Sequence, residues 1–269
     1  MAQSSTPRIR RDLKGDARRA RIVDLLQERA GEDLGVDELS TVLGVSAATV
    51  RRDLGRMREL GVIARTYGGG TLIPQREVPV RDRFSSHQAA KDAIGRLAAG
   101  FVTKDELIVV DAGSTTARFA AHLGGRDDVT VITNGIGVIN SLLDAPGPEV
   151  IVLGGRLRGI NETIVGDTAH EMLSRIRASH AFIGVDSIDP QRGIASQTLA
   201  QSLLKSRMIA CAEDVVILAD SSKLESDDFR YWSPMQRPWR LVTDSGIDER
   251  MKDRARLAGA TDILVAPLP

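Results

Sequence analysis

Seven short apolar runs in the second two-thirds of the chain constrain its fold most strongly. They lie at residues 107–111, 129–132, 149–153, 180–185, 214–219, 240–243 and 262–266. Several are almost continuous in valine, isoleucine and leucine, which is typical of strands buried on both faces of a parallel sheet. Helical stretches fit between most of them, as parallel connections require. The sequence therefore predicts an α/β domain with a mostly parallel sheet over residues 87–269.

The first part of the chain has a different pattern. Helical periodicity predicts one helix over about residues 16–30 and a short second helix that ends at Gly44, with Val36, Leu39, Val42 and Leu43 facing inward. Ser46 is placed to cap a third helix. The segment "VIARTYGGGTLI" then predicts two short strands joined by a glycine turn. This order of elements is that of a winged helix-turn-helix domain, which we expect over residues 15–73.

The remaining segments are assigned from composition. Residues 1–14 lack periodicity and are predicted to form a disordered basic arm. Residues 74–86 contain two prolines and five charged residues and are predicted to be a linker. Cys211 is the single cysteine, which excludes an intramolecular disulfide and fits a reducing compartment. Since no stretch approaches the roughly 18–20 apolar residues of a membrane span, we expect a cytoplasmic protein without a membrane partner.

The third helix and the hairpin concentrate arginine, although the net charge of the chain is zero. Small residues at the start of the helix would allow it to approach a major groove, where arginines reach guanine edges or phosphates. Glycines in the hairpin allow close contact with a phosphate backbone. A solvated arginine face is the alternative for an isolated helix, but the succession of elements favours DNA binding. The candidates are Thr49 and Arg51 at base edges, Arg52, Arg65 and Tyr67 at phosphates, and Ser46 at the start of the helix.

Polar and glycine-rich turns follow several predicted strands. Ligands of open parallel sheets bind at the carboxyl ends of the strands, and the N–H groups and hydroxyls that open a helix suit a phosphate. A lysine beside such a turn would neutralise the same phosphate. Each turn alone also fits a capped helix start, and each lysine alone fits the surface. Together they predict a site for a small anionic ligand, with the candidates Asp111, Gly113, Ser114, Thr115, Thr116, Thr133, Asn134, Gly154, Gly155, Asp186, Lys205 and Lys223.

The segment "VSAATVRRDLGRMRELGVIARTYGGG" resembles the signature of the DeoR-type bacterial transcription regulators, and the resemblance continues through nearly the whole chain. It implies a sensor domain that is similar to ribose-5-phosphate isomerase and binds phosphorylated sugars, with the candidates above on matching motifs. Gln201 departs from the family pattern, which usually has an acidic residue one helical turn before the lysine. The segment "RGINET", residues 158–163, also differs from the family pattern, and Asn161 or Glu162 is a candidate for ligand selection.

Two functions remain open at this point. The first is a repressor of a sugar-utilisation operon that binds a double-stranded DNA operator and responds to a small phosphorylated sugar. It would act as a homodimer or higher homo-oligomer, because one module reads too few base pairs. The alternative is a sugar-phosphate isomerase-like enzyme with an accessory DNA-binding module. Isomerisation needs a carboxylate base, for which Asp186 and Asp189 are candidates, but the neutral Gln201 favours the repressor.

No cofactor or metal is predicted. The four histidines have no metal-ligand spacing with one another or with Cys211. The segment "VVDAGSTT" lacks the Gly-Lys-Ser/Thr of a nucleotide-binding P-loop.

The arginines of the third helix generate a first prediction. Arg51→Ala is expected to weaken specific DNA binding by about 1–3 kcal/mol and to relax base preference, because a bidentate base contact is lost. Arg52→Ala is expected to weaken binding to all sequences similarly and to lower the salt slope by about one unit. A salt titration of DNA affinity measures both effects, and equal curves for the wild type and both variants would contradict the assignment.

Overall fold

The structure, a computed structural model, describes residues 15–28, 34–59, 63–65, 69–72, 77, 79–224 and 229–268. The chain divides into two compact units, residues 1–76 and 77–269. Each unit has a hydrophobic core of its own. The predicted basic arm over residues 1–14 lies outside the described residues.

Helices and a small sheet form the described part of the first unit. Its elements are α1 (Gly15–Glu28), β1 (Leu34–Gly35), α2 (Val36–Leu43), α3 (Ala47–Glu59), β2 (Ile63–Arg65) and β3 (Gly69–Leu72). The predicted hairpin is present, with β2 and β3 antiparallel. The two-residue strand β1 adds to β3 on the other side, which sequence reasoning missed because two residues show no periodicity.

Two local signals act in the first unit as the sequence predicted. Gly44 ends α2 in the left-handed conformation, with φ 63° and its N–H bonded to Ser40 O. Ser46 Oγ accepts the N–H of Thr49 at 3.2 Å and so caps α3. The prediction that Val42 faces inward is wrong, because α2 packs through Leu39 and Val42 is 56% exposed.

A buried carboxylate joins the first and third helices. Asp53 lies within the arginine-rich α3 but is only 3% exposed. Its Oδ2 is 2.5 Å from Arg18 Nε, and its Oδ1 is 3.3 Å from Arg19 Nη1. Because removing either partner would leave a buried charge, this cluster fixes α1 against α3. Asp53 therefore has a structural role, while its arginine neighbours on α3 face outward.

The second unit alternates strands and helices. Its first half comprises α4 (Val80–Ser85), α5 (Gln88–Ala99), β4 (Glu106–Val110), α6 (Ser114–Ala121), β5 (Val129–Thr133), α7 (Ile136–Asp144), β6 (Glu149–Val152), β7 (Arg156–Arg158), β8 (Thr163–Val165) and α8 (Asp167–Ser174). Its second half comprises β9 (Ala178–Gly184), β10 (Ile188–Asp189), β11 (Gly193–Ser196), α9 (Leu199–Cys211), β12 (Ala212–Leu218), β13 (Tyr231–Ser233), β14 (Trp239–Asp244), α10 (Glu249–Leu257) and β15 (Ala260–Ala266).

A seven-stranded sheet in the order β15-β14-β12-β9-β4-β5-β6 forms the centre of this unit. Every neighbouring pair is parallel, and the seven strands are those predicted from the sequence. Both faces are buried: Ile108 and Val110 pack into one core cluster, while Val109 between them packs into the other. The α/β fold with a parallel sheet is therefore confirmed, and all seven carboxyl ends lie at one edge of the sheet.

The structure differs from the predicted linker over residues 74–86. Val80–Ser85 form the helix α4, which belongs to the second unit. Val80 is 3% exposed, and Phe84 packs against the core of that unit. Six residues are too few to show helical periodicity, so prolines and charges dominated the interpretation of this segment. The antiparallel hairpin of β7 and β8 was likewise not predicted.

Close packing of α5 on α6 generates a second prediction. A Cβ on Gly95 would lie 2.7 Å from the backbone N of Phe119. Because this neighbour is backbone and not the end of a flexible side chain, it cannot move aside easily. Gly95→Ala is expected to lower the free energy of unfolding by about 1–3 kcal/mol, measured by urea denaturation. Gly159→Ala is the matched control, because a Cβ there meets no atom within 4 Å. Equal stability of the two variants would contradict this packing.

Candidate functional site

The start of α3 presents the predicted DNA-binding side chains. Arg51 and Arg52 are exposed, as is Ser46, while Thr49 is half-buried. Val50, Leu54 and Met57 are buried on the opposite side of the helix. The helix is therefore anchored on one face and leaves Arg51 and Arg52 accessible on the other. Arg65 lies in β2 with its side chain outside the described part of the structure, and Tyr67 is also outside it.

A cavity of about 550 Å³, including its open mouth, lies at the carboxyl ends of β4, β9 and β12. The ends of these strands and the first turn of α6 form its floor, and side chains from α4, α5, α9 and the β7–β8 loop complete it. The lining residues are Arg83, Lys91, Ala112, Gly113, Ser114, Thr115, Asn161, Gly184, Val185, Asp186, Gln201, Lys205, Leu218, Ala219, Asp220 and Lys223.

Seven of the twelve sequence-predicted ligand residues come together here. Gly113, Ser114, Thr115, Asp186, Lys205 and Lys223 line the cavity directly. Asp111 lies behind Lys205, with 3.0 Å between its Oδ2 and Lys205 Nζ. The first-turn N–H groups of α6 have no partner within their own helix, so they make this end of the cavity suitable for an anion.

Three other predicted residues support the turns without lining the cavity. Thr133 Oγ1 donates a 2.7 Å hydrogen bond to Val110 O, and Thr116 Oγ1 donates to Gly113 O at 3.0 Å. Asn134 Oδ1 accepts the N–H of Ala112 at 2.9 Å, which ties the end of β5 to the end of β4. Their polar atoms are used within the protein, so these residues shape the cavity rather than face it.

Gly154 and Gly155 also lie outside the cavity lining. Close packing accounts for glycine at both positions. A Cβ on Gly154 would be 2.9 Å from Cγ2 of Thr168. Gly155 has φ 144°, and a Cβ there would be 2.6 Å from Val165 O. Both glycines therefore let the chain after β6 pass close to β8 and α8.

Cations outnumber acids among the lining side chains. Arg83, Lys91, Lys205 and Lys223 face two carboxylates, Asp186 and Asp220. The charge of Lys205 is balanced by the buried carboxylate of Asp111, and its Nζ also donates to Gly184 O. Burial raises the pKa of Asp111, and the opposing charge of Lys205 counteracts this effect. Within the described residues, the Lys223 side chain makes no hydrogen bond or ion pair, so its charge remains open to a ligand.

Lys91 is a buried cation that sequence reasoning missed. It is 3% exposed, and its Nζ donates to Arg83 O at 2.6 Å and to Ser86 O at 2.8 Å. Burial is the largest cause that lowers the pKa of Lys91 to about 8; Lys223, Arg83 and Arg118 act in the same direction, while Asp220 opposes the shift. A lysine within an amphipathic helix is normally expected to face solvent, so the sequence contains no indication that Lys91 is buried.

Arg83 and Asn161 add unpaired polar atoms to the cavity. Among the described residues, Arg83 Nε and Asn161 Oδ1 are buried without a hydrogen-bond partner. Arg83 Nη1 meanwhile donates to Asp186 Oδ1 at 3.2 Å. Of the two residues singled out in the "RGINET" segment, Asn161 reaches the cavity, whereas Glu162 pairs with Arg81 at 2.8 Å. Buried polar atoms normally have partners, so these two atoms are candidates for contact with a ligand.

The carboxylates needed for isomerisation are not arranged as free bases. Asp186 is engaged by Arg83, and Asp189 accepts the N–H groups of Gln191 at 3.0 Å and Arg192 at 2.7 Å in a turn. Gln201 lines the cavity, and its Oε1 accepts the hydroxyl hydrogen of Thr198. In the described part of the chain, no cluster of metal-ligating side chains is found, and no helix is both long and apolar enough to cross a membrane.

Comparisons with known proteins cover nearly the whole chain. Residues 86–245 match the family model of the DeoR C terminal sensor domain, and residues 18–76 match that of the DeoR-like helix-turn-helix domain. The chain is 34% identical over 225 residues to the HTH-type transcriptional repressor GlcR of Bacillus subtilis (strain 168), covering 83% of this chain and 86% of that one. It is 30% identical over 251 residues to the HTH-type transcriptional repressor CsqR of Escherichia coli (strain K12), covering 90% and 93%.

A solved ribose 5-phosphate isomerase A from Methanocaldococcus jannaschii is a distant structural neighbour. The match covers 52% of this chain and 55% of that chain, with a TM-score of 0.39 and 19% identity.

The buried Lys91 generates a third prediction. Between pH 8 and 10 the unfolded chain keeps this lysine protonated, with a pKa of about 10.4, while the folded protein releases the proton. In this pH range the unfolded state binds more protons than the folded state, so the contribution of Lys91 to the free energy of unfolding rises with pH. The free energy of unfolding of the wild type relative to Lys91→Met is expected to increase from pH 7 to pH 9.5 in urea titrations.

The exposed Lys104 provides the control for that titration. The difference between the wild type and Lys104→Met is expected to stay constant over the same pH range. A difference between the wild type and Lys91→Met that is also constant with pH would show that Lys91 titrates normally.

Proposed function

Since the chain belongs to the DeoR family of transcription regulators, we propose that a small phosphorylated sugar bound in the cavity controls its binding to DNA. Like the relatives that it matches along most of its length, the protein is a DNA-binding transcription regulator and not an enzyme. By analogy with relatives that are named repressors, we infer that it represses a sugar-utilisation operon.

The observation that carries this proposal is the group of cations around the first turn of α6. Arg83, Lys91 and Lys223 line one cavity with the N-terminal residues of that helix, Ser114 and Thr115. A phosphate monoester carries close to two negative charges at neutral pH, and partly buried cations bind it more strongly than exposed ones. Lys205 contributes less, because Asp111 already balances its charge.

Hydrogen-bond acceptors in the same cavity favour a sugar phosphate over inorganic phosphate. Asn161 Oδ1 lacks a donor among the described residues, and Asp186 presents a carboxylate. Acceptors of this kind fit the several hydroxyl groups of a polyol, whereas the dianion of inorganic phosphate, HPO4²⁻, has a single O–H to donate.

We further propose that Ser46, Thr49, Arg51, Arg52, Arg65 and Tyr67 make the DNA contacts. The exposure of Arg51 and Arg52 at the start of a capped helix supports this assignment. Because one such helix spans only a half-site, we infer that a homodimer or higher homo-oligomer binds the operator. Because the proposed partner is operator DNA, we also infer a cytoplasmic location.

A fourth prediction tests the ligand. Glucose 6-phosphate, fructose 6-phosphate and ribose 5-phosphate are compared with their unphosphorylated parents in thermal unfolding of the full-length protein. At least one phosphorylated sugar is expected to stabilise the fold by about 2.7 kcal/mol at a concentration 100-fold above its Kd, whereas its parent sugar does not. Lys223→Ala is expected to weaken this ligand at least tenfold, because an unpaired cation is removed.

The matched control is Lys104→Ala, in which an exposed lysine outside the cavity is removed. This variant is expected to bind the sugar phosphate as the wild type does. A Lys223→Ala variant with an unchanged Kd would exclude that residue from the site, and equal stabilisation by parent and phosphorylated sugars would sink the phosphate assignment.

A further inference from the structure

We propose that the connector, defined as Glu77 together with residues 79–86, transmits ligand occupancy to DNA binding, with Arg83 exchanging Asp186 for the bound phosphate. The inference rests on the proposed function and names the route by which the same cavity would regulate it. The connector begins at the first residue of the second unit, so in the chain it directly follows the DNA-binding unit. Any displacement of it acts on the covalent junction between the two units.

The start of the connector is tied to the β7–β8 hairpin. The Glu77 carboxylate forms a bidentate pair with Arg158 of β7, with 2.7 Å between Oε1 and Nη1 and a second, short contact between Oε2 and Nη2. The Glu77 side chain is only 8% exposed, so solvent screens this pair weakly. The Val80 N–H donates to Ile160 O at 2.9 Å, within the turn that joins β7 and β8.

The same hairpin loop reaches the cavity. Asn161 lines the cavity, while its neighbours Ile160 and Glu162 hold the connector through Val80 and Arg81. Glu162 has φ 51°, a left-handed conformation that is uncommon for a residue with a Cβ. A ligand that donates a hydrogen bond to Asn161 therefore binds a loop whose backbone is already coupled to the connector.

The end of the connector is held from inside the cavity. Lys91 Nζ donates to the carbonyl oxygens of Arg83 and Ser86, which fixes the last turn of α4. Arg83 Nη1 donates to Asp186, while Arg83 Nε has no partner among the described residues. A phosphate offers oxygens to both nitrogens of this guanidinium and competes with Asp186 for it.

Ligand contacts with Arg83 and Asn161 would thus act on opposite ends of the connector, because Arg83 lies near its end and Asn161 lies in the hairpin loop that holds its start. Binding the phosphate shifts Arg83 and with it α4, and binding a hydroxyl shifts the hairpin loop that holds Glu77. The Glu77–Arg158 pair is the point where both movements reach the DNA-binding unit. Breaking this pair is expected to uncouple the ligand from DNA without removing any group that touches either one.

The test measures linkage, defined as the ratio of DNA affinities without and with saturating ligand. The DNA is a duplex selected from a random-sequence pool by the full-length wild type, and the ligand is whichever of the three sugar phosphates above stabilises the protein most. The wild type is expected to show a linkage of about 5–150-fold. Glu77→Gln and Arg158→Gln are expected to keep the thermal shift by the ligand and the ligand-free DNA affinity, but to reduce the linkage below twofold.

The double variant Glu77→Arg/Arg158→Glu reverses the pair and is expected to restore linkage. Glu213→Gln is the matched control, because it breaks an exposed pair with Arg177 elsewhere in the second unit and is expected to leave linkage unchanged. If the single variants do not fold, Arg83→Lys replaces them, since it keeps the charge but not the two-nitrogen contact and is expected to lose linkage.

The outcomes separate this inference from the proposed function. A wild type whose DNA affinity no sugar phosphate changes would overturn the proposed function. A responsive wild type with equally responsive Glu77→Gln and Arg158→Gln variants would overturn only the connector inference. A folded charge-reversed variant that remains uncoupled would overturn it as well, because the pair itself would then not carry the signal.

Discussion

The parallel direction of the seven central strands is the constraint on which the rest of the second unit depends. Because every strand points the same way, all carboxyl ends meet at one edge, and each following turn delivers polar groups to that edge. The turn after β4 opens α6, the end of β9 provides Asp186, and the end of β12 provides Asp220. An antiparallel arrangement would distribute the same turns over both edges and leave no common cavity.

Charge in this cavity is balanced unevenly, and that imbalance defines its chemistry. Lys205 is compensated by Asp111, and Lys91 by the carbonyl oxygens of Arg83 and Ser86. Arg83 is compensated only in part, through a single contact with Asp186. Burial lowers the pKa of Lys91 to about 8, so it still carries most of its charge at neutral pH. The protein therefore holds cations in a partly buried place where an added anion relieves their mutual repulsion.

The first unit handles its charges in the opposite way. Arg18 and Arg19 of α1 contact the buried Asp53, whereas Arg51 and Arg52 lie on the outer face of α3. The buried acid stabilises the helix packing and leaves Arg51 and Arg52 accessible at the surface. One short helix can thus serve both as part of a hydrophobic core and as a cationic surface for nucleic acid.

Much of this protein was determined by the sequence itself. The seven strands, the capping serine at Ser46, the end of α2 at Gly44 and the hairpin were all predicted, because periodicity and local backbone preference report them directly. The turns after β4 and β9 and the lysines at 205 and 223 were also identified as parts of one site.

Only the tertiary structure decided which side chains face the cavity. Thr133 and Asn134 form hydrogen bonds with the backbone at the end of β4, and Gly154 and Gly155 permit close packing. Arg83, Lys91 and Asn161 enter from a short helix, another helix and a hairpin loop, and no local pattern reports contacts between residues so far apart in the chain.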